Sequence, residues 1–374
     1  MNPDPNTPLH RALALAHQAL WLTSPNPRVG CVITAPDGRV LGEGHTQRAG
    51  GPHAEIMALR DAQAKGLDVR GATAWVTLEP CAHQGRTGPC CDALAAAGIG
   101  RVVAALSDPN PKVAGQGLAR LQAAGAQVQT LDAQDPLALA ARELNIGFFS
   151  RMARGRPWVR MKIAASIDGQ TALANGQSQW ITGPEARLDG HAWRARACAV
   201  LTGIGTVLED DPQLNVRGLD VPRQPHLVVV DSRLELPLEA KLLSTLGSGD
   251  QARQIWVYTA TSGQPDKRAA LAARGVQVID CPGAGDKVDL AAMLRDLARR
   301  EVNELHVEAG FKLNGSFMRE ALVDEWLLYM APQWLGPGQG MAHVPALAQL
   351  SQALRLRYHA VERVGEDLRL LLRK

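Results

Sequence analysis

Residues 53–91 read HAEIMALRDAQAKGLDVRGATAWVTLEPCAHQGRTGPCC. The imidazole of His53, the thiol of Cys81 and a second thiol at Cys90 or Cys91 form a donor set suited to zinc, with a fourth position left for water. Glu55, two residues after the histidine, is a carboxylate that can carry protons to and from such a water. The local pattern supports the chemistry. Ala54 to Ala64 carries Ile56, Met57 and Leu59 and no breaker, which predicts a helix with His53 and Glu55 at its first turn. Gly71 marks a turn, and Thr73 to Leu78 is rich in strand formers. Cys81 therefore follows the C-terminal end of a strand, where open α/β sheets hold their sites. Pro89 reads as a helix-entry proline, with Ala93 to Ala97 continuing the helix, and a thiolate at Cys90 would be favoured by that N-terminus.

Each residue also has a plainer reading. A single histidine is more often a surface or core residue than a ligand, and adjacent cysteines can be small buried hydrophobes. A structural zinc would need a fourth protein ligand, from Cys91 or His83, and a closed shell. The catalytic reading is favoured because Glu55 and Pro80 have no role in a structural site. His-x-Glu followed by Pro-Cys is the signature of the zinc-dependent nucleobase deaminases.

The chain has 374 residues, enough for two domains, with 46% apolar and 21% charged residues. A net charge of +3 is too weak to imply nucleic acid, and Tyr 3 and Phe 4 leave few stacking platforms for it. Of the six cysteines, three cluster at the proposed metal, so they do not read as a disulfide framework. Thiolate ligands fit a reducing compartment, and a cytoplasmic location is expected. The N-terminal MNPDPNTP is not a signal peptide, and no apolar run is long enough to span a membrane.

Outward from the metal segment, Leu9 to Leu20 predicts a helix. Cys31 to Ile33 and Arg39 to Gly42 predict strands joined at Asp37-Gly38. Asn26, in the Ser24–Gly30 loop, either fixes its turn or reads a polar substrate edge. Strands are expected at 101–106 and 126–130, helices at 118–124 and 138–152, and a linker at 153–157. The alternation argues a layered α/β domain over residues 1–152 with helices on both faces. In the second half, 153–374, strands are expected at 158–165, 200–203, 227–230, 255–258, 276–279, 304–308, 326–330, 354–361 and 368–372, with helices from Pro184 and over 290–299. The last two strands flank Gly365-Glu-Asp367 as an edge hairpin, giving a mixed sheet with an antiparallel end. No GxGxxG follows the first strand of this half, so a Rossmann fingerprint is absent. Glu308-Ala-Gly-Phe-Lys-Leu-Asn-Gly-Ser316 follows a strand and precedes a helix, and its backbone N–H groups suit a phosphate.

The whole chain resembles the bifunctional riboflavin-biosynthesis deaminase-reductases, the RibD/RibG family. The matches in the first half are Pro25-Asn-Pro-x-Val-Gly30, His53-Ala-Glu55, Thr77-Leu-Glu-Pro-Cys81, His83, Gly85-Arg-Thr87, Pro89-Cys-Cys91 and Asp108-Pro-Asn-Pro111. Those in the second are Lys162, Ala165-Ser-Ile-Asp-Gly169, Ser178-Gln-Trp-Ile-Thr182, Thr206-Val-Leu, Asp210-Asp-Pro212, Asp231-Ser232 and Val307-Glu-Ala-Gly310. Gln84 and Gly88 depart from the commoner histidine and proline and remove no ligand. The resemblance implies a three-layer α/β/α cytidine-deaminase-like domain and a dihydrofolate-reductase-like α/β domain with a mixed sheet. It implies deamination of a diaminohydroxypyrimidine bearing phosphoribosylamine, then reduction of the ribose by NADPH. Zinc would be held by His53, Cys81 and Cys90, with Glu55 as proton shuttle. For the cofactor the resemblance points to Ala164, Trp180, Thr206, Asp210, Ser232 and the 310–316 loop of Gly310, Phe311, Lys312, Leu313, Asn314, Gly315 and Ser316. For the substrate it points to Ser178, Arg194, Leu214, Arg217 and Glu308, with Asn26 and Lys162 as further candidates. The guanidinium groups suit a phosphate, although surface solvation is their plainer reading. A homo-oligomer, dimer or tetramer, is expected, with a small-molecule substrate and neither nucleic acid nor membrane as partner. A deaminase of tRNA or free cytosine would show a short Pro-Cys-x-x-Cys spacing, which is absent, and would leave the second half unexplained.

Overall fold

A helix can lie close on a sheet only where the facing strand residues are small, and three glycines meet that need in the first half. The computed structural model describes residues 7–82, 88–110, 114–246 and 252–374. His83, Gln84, the Gly85-Arg-Thr87 motif and Pro111 lie outside the described residues. The chain separates into two compact units, Met1–Gly155 and Arg156–Lys374.

In the first unit, α1 (Pro8–Gln18) starts on the Thr7 hydroxyl, which accepts from the His10 N–H. Strand β1 (Gly30–Thr34) pairs antiparallel with β2 (Val40–His45). Helix α2 (Ala54–Ala64) begins directly after His53. Pairing puts Gly30 on one face of the sheet and Gly42 and Gly44 on the other. A Cβ at Gly30 would lie 1.8 Å from the Ala12 carbonyl oxygen of α1, and one at Gly42 would lie 2.1 Å from the Ala58 oxygen of α2. The two helices therefore cover opposite faces, which is why β1 is buried along its whole length. Strand β3 (Thr73–Val76), helix α3 (Cys90–Ala96), strand β4 (Arg101–Ala104), helix α4 (Gln116–Ala123) and strand β5 (Gln127–Thr130) follow. The sheet order is β2-β1-β3-β4-β5, with β3, β4 and β5 parallel.

One helix was expected over 138–152, and two are found: α5 (Pro136–Leu144) and α6 (Ile146–Arg154). They break at Asn145. Its side chain accepts from the Arg28 N–H (2.7 Å) and donates to the Arg28 carbonyl (2.9 Å), tying the break to the chain entering β1.

The second unit carries β6 (Trp158–Ser166), β7 (Gln170–Leu173), α7 (Pro184–Arg196), β8 (Ala199–Gly203), α8 (Ile204–Asp210), β9 (His226–Val230), β10 (Ile255–Thr259), α9 (Pro265–Ala273), β11 (Val276–Asp280), α10 (Leu290–Arg299), β12 (Glu304–Val307), α11 (Phe311–Arg319), β13 (Glu325–Ala331), β14 (Gly338–Gly340), β15 (Arg357–Val364) and β16 (Asp367–Arg373). Nine strands form one sheet in the order β11-β10-β9-β8-β12-β6-β13-β16-β15. It is parallel from β11 to β13, and β16 and β15 add an antiparallel end. The small β7–β14 ribbon was not anticipated. Strand β12 inserts between β8 and β6, so the chain segments leaving β8, β12 and β6 lie side by side at the carboxyl edge, where open α/β sheets place their sites.

Alternate residues of β12 and β6 share one face. His306 is level with Arg160, which sets Glu308 beside Lys162. At the start of these strands Arg160 is fully buried, bonded to Glu304 (3.0 Å) and Glu325, and stacked 4.4 Å from the Trp193 ring of α7. Such a buried charge is tolerated only because both carboxylates and the ring meet it. This row of charges fixes α7 over the face that carries Lys162 and Glu308.

Candidate active sites

The metal-capable residues come from three elements. His53 is the cap residue preceding α2, Cys81 lies in the chain leaving β3, and Cys90 opens α3 behind Pro89. Their ligand atoms all lie within 4.8 Å of one another, the one such His/Cys/Asp/Glu group among the described residues. His53 Nδ1 is 3.5 Å from Cys81 Sγ and 3.3 Å from Cys90 Sγ. That spread suits one ion bonded at about 2.3 Å to sulfur and about 2.0 Å to nitrogen. Two sulfurs and an imidazole are zinc's preferred donors, so the residues present fit the ion. Cys91 is turned into the core, with its thiol on Asp92 (3.4 Å), and burial pushes that thiol up to about 11.

The electrostatics match a ligand site. The Cys90 thiol and then the His53 ring stabilise a Cys81 thiolate, holding Cys81 far below the usual thiol range. The same pairing and burial push Cys90 up. Glu55 is only 3% exposed, and burial raises its carboxyl to about 7, with the His53 charge acting in the opposite direction. A carboxyl at that value exchanges protons in both directions near neutral pH.

Glu79 belongs to the Thr-Leu-Glu-Pro-Cys motif but had no role assigned from sequence. Its buried carboxylate accepts from the backbone N–H groups of Asp108 (3.1 Å), Gly115 (3.0 Å) and Gly117 (3.0 Å). It thereby pins Asp108, Gly115 and Gly117 against the chain leading to Cys81. Gly117 is required there, since a Cβ would meet the Pro80 oxygen at 1.9 Å. Asn26 does not fix its turn through its side chain. The Thr23 hydroxyl donates to the Asn26 carbonyl (3.1 Å) and the Asn26 N–H to Thr23 (2.8 Å).

In the second unit, Arg194 of α7 holds Glu308 with two parallel hydrogen bonds, the Nη2–Oε2 one at 2.8 Å. Although burial works the other way, Arg194 keeps the Glu308 carboxyl well below the usual range. Burial lowers the Lys162 ammonium, while Glu308 beside it raises it. Arg217 is exposed and bonded to the Asn215 side chain (2.6 Å). Leu214 has its side chain in the core and φ +49°, so any contact it makes is through backbone. Lys162, Arg194, Glu308 and Arg217 therefore form one electrostatic cluster.

Most of the proposed cofactor residues lie near the carboxyl ends of β6, β8, β9 and β12. Ala164 is on β6, Thr206 is in the first turn of α8, Asp210 ends that helix, and Ser232 follows β9. A Cβ at Gly310 would be 3.6 Å from the Thr206 hydroxyl, so the chain ends after β8 and β12 meet. Ser178 is half-buried, whereas Trp180 is 69% exposed with Arg187 over its ring. The expected 310–316 loop needs correction. Phe311–Arg319 is helix α11, capped by Gly310. The Asn314 N–H already bonds to Gly310, so the N–H groups of Phe311, Lys312 and Leu313 are the ones no helical bond uses. Leu313, Asn314 and Gly315 pack inward, and the Ser316 hydroxyl bonds to the Lys312 carbonyl. The candidate anion-binding feature is therefore a helix N-terminus and not a seven-residue cradle.

Comparison with known proteins assigns each half of the chain to a described family. Residues 157–370 match the family described as RibD C-terminal domain, and residues 4–106 match the cytidine and deoxycytidylate deaminase zinc-binding region. Riboflavin biosynthesis protein RibD of Escherichia coli is 42% identical over 372 residues, covering 96% of each chain. That of Mycobacterium tuberculosis is 39% identical over 380 residues, covering 100% of this chain and 99% of the other. Among solved structures, Acinetobacter baumannii RibD superposes with a TM-score of 0.86 at 40% identity, covering 98% of this chain and 97% of that one. A diaminohydroxyphosphoribosylaminopyrimidine deaminase/5-amino-6-(5-phosphoribosylamino)uracil reductase from Thermotoga maritima gives 0.83 at 31% identity, with the same coverage. A mixed-sheet α/β reductase-type unit, a zinc-binding deaminase unit and near-complete alignment leave one assignment: the chain belongs to the RibD family of riboflavin biosynthesis proteins.

Proposed function

We propose that the chain performs two successive steps of riboflavin biosynthesis. The first unit deaminates 2,5-diamino-6-(5-phosphoribosylamino)pyrimidin-4(3H)-one to 5-amino-6-(5-phosphoribosylamino)uracil. The second reduces the ribosyl group to ribityl with NADPH. The observation that carries this reading is the buried Glu55 carboxyl, raised to about 7 beside the His53, Cys81 and Cys90 donors. Domains over 1–152 and 153–374 carry the two activities.

Zinc, when bound, supplies a Lewis acid and a water acidic enough to ionise near neutral pH. His53, Cys81 and Cys90 are the residues that hold it. Glu55 accepts one proton from the attacking water and passes it to the pyrimidine ring nitrogen, then takes the second from the newly added hydroxyl and delivers it to the amine that departs as ammonia. Asn26, with its turn closed by other atoms, offers its amide to the pyrimidine edge.

NADPH, when bound, supplies the hydride. The entrance of α11, with Ala164, Trp180, Thr206, Asp210 and Ser232, receives the cofactor. Arg194, Arg217 and Ser178 bind the sugar phosphate, the backbone at Leu214 lines it, and Glu308 and Lys162 orient the opened sugar at neutral pH. The six cysteines, none of them in a disulfide among the described residues, support a reducing, cytoplasmic setting. The exposed Tyr358 and Val361 on the sheet-edge strand β15 support a homo-oligomer, dimer or tetramer.

The test gives purified chain the diaminopyrimidine substrate and NADPH deuterated at the transferred position. Ammonia release should precede NADPH oxidation, and deuterium should appear at the former anomeric carbon of the sugar. Label in the pyrimidine ring, or ammonia release without any NADPH oxidation, would defeat the reductase half.

A further inference from the structure

One histidine in the second unit has no assigned role and sits at the hub of the charged cluster. His191 lies on α7 three residues before Arg194, on the same face of the helix. Its Nδ1 receives the backbone N–H of Arg217 at 3.3 Å and faces Arg194 Nη1 at 3.4 Å. Neither an amide N–H nor a guanidinium can accept a hydrogen bond. Nδ1 must therefore carry a lone pair, and the ring proton of the neutral form sits on Nε2.

The arrangement has a mechanical consequence. The segment after α8 takes left-handed backbone at Asp211 (φ 42°) and Leu214 (φ 49°), so local propensity does not hold it in place. Its tethers come from elsewhere. Arg194 Nη1 donates to the Asn215 carbonyl (3.0 Å), Gln224 brackets Val216 through both its amide atoms (2.7 and 3.1 Å), and His191 takes the Arg217 N–H. Among the described residues, His191 is thus the one side chain bonded both to Arg194 and to the backbone of Arg217. The groups facing it are Arg194 on its own helix, Arg217 on the segment after α8, Lys162 on β6 and Glu308 after β12. Burial and three cations lower the ring to about 4, which favours its neutral form at neutral pH.

We propose that His191 is a positioning residue of the reductase site: its Nδ1 lone pair sets the spacing of Arg194 and Arg217, and so the affinity for the sugar phosphate. This rests on the reductase reading given above. A cation in its place would repel both guanidinium groups, and an apolar side chain would release the Arg217 backbone.

The experiment compares wild type with His191→Asn, His191→Gln and His191→Leu. The asparagine oxygen can replace Nδ1 as acceptor, the glutamine carries its amide one bond too far, and leucine offers none. Binding of D-ribose 5-phosphate is measured by calorimetry, and KM and kcat are measured with the deaminated substrate. We expect His191→Leu and His191→Gln to weaken sugar-phosphate binding and raise substrate KM about tenfold or more. Changes in kcat and in the KM for NADPH should stay within about threefold, and His191→Asn should lie near wild type. If Asn is as impaired as Leu, or if the KM values for NADPH and substrate rise together, His191 merely supports the fold and the proposal fails. Wild-type affinity in the Leu variant, or no sugar-phosphate binding by wild type, also overturns it. A wild-type chain that binds ribose 5-phosphate but never oxidises NADPH would sink the reductase reading instead, and the binding series would still decide His191.

Discussion

At the scale of single residues, Glu55 is the side chain whose chemistry and stability pull apart. Burial holds its carboxyl at about 7 against an ordinary 4.5. Below the lower value both folded and unfolded chains keep the proton. As pH rises from there to 7 the unfolded chain releases it first, so the native state loses stability until the folded carboxyl also ionises. Glu55→Gln removes that burden. In chelator-treated protein its advantage over wild type should be small at pH 4.5 and reach at most about 3 kcal/mol at pH 8. Denaturant unfolding at the two pH values checks the sign, and equal differences at both would contradict a buried, raised carboxyl. In zinc-loaded protein the same variant should retain the metal and lose deamination by about two to four orders of magnitude. The metal-site residues were legible because His-x-Glu and Pro-Cys keep their chemistry in fixed spacing. Glu79 and His191 were not. Glu79 bonds to backbone N–H groups 29 to 38 positions downstream, and His191 to one 26 positions away. A backbone N–H is offered by almost any residue, so no pattern of side chains announces such a bond.

At the scale of elements, α11 separates two kinds of glycine. Gly310 caps the helix with φ −79°, and a Cβ there meets nothing closer than the Thr206 hydroxyl at 3.6 Å. Gly315 is one turn on, where a Cβ would lie 2.1 Å from the His343 carbonyl oxygen. Gly310→Val should cost no more than about 1 kcal/mol from the cap, yet raise the KM for NADPH about tenfold by crowding the helix entrance. Gly315→Ala should cost about 1–3 kcal/mol of folding stability, because backbone must move. Unfolding midpoints and NADPH titration distinguish them, and unchanged NADPH affinity in Gly310→Val would remove the cofactor from this entrance. Sequence pattern marked a strand, a glycine and a helix here, but set the helix start too late. Gly315 inside Phe-Lys-Leu-Asn-Gly-Ser reads as a loop signal, whereas tertiary packing on His343 keeps it helical. Asn145 is the converse case. Nothing in the apolar period from Ala138 to Met152 marks a break, which the Arg28 backbone imposes from across the unit.

At the scale of the molecule, the nine strands expected in the second half all join one sheet, most of them as short apolar runs bounded by turn residues and β15 as an exposed edge strand. Their order was not legible, because the placing of β12 between β8 and β6 is decided by helix crossovers and by the Arg160, Glu304 and Glu325 charges. The two sets of site residues lie in different compact units, His53, Glu55, Cys81 and Cys90 in one and Lys162, Arg194 and Glu308 in the other. A lesion confined to one set should therefore leave the other activity standing. Glu55→Gln alone should oxidise NADPH when given deaminated substrate, and Glu308→Gln alone should release ammonia from the diaminopyrimidine. Neither should convert the diaminopyrimidine to the ribityl product by itself. Mixed in equal amounts they should do so, with a lag while the deaminated intermediate accumulates in solution. The lag should shorten as the concentration of the Glu308→Gln chain is raised, because that chain supplies the intermediate. Product from the mixture without a lag would mean direct transfer between sites. No product, although each variant keeps its one activity, would mean that the intermediate never leaves the chain that makes it.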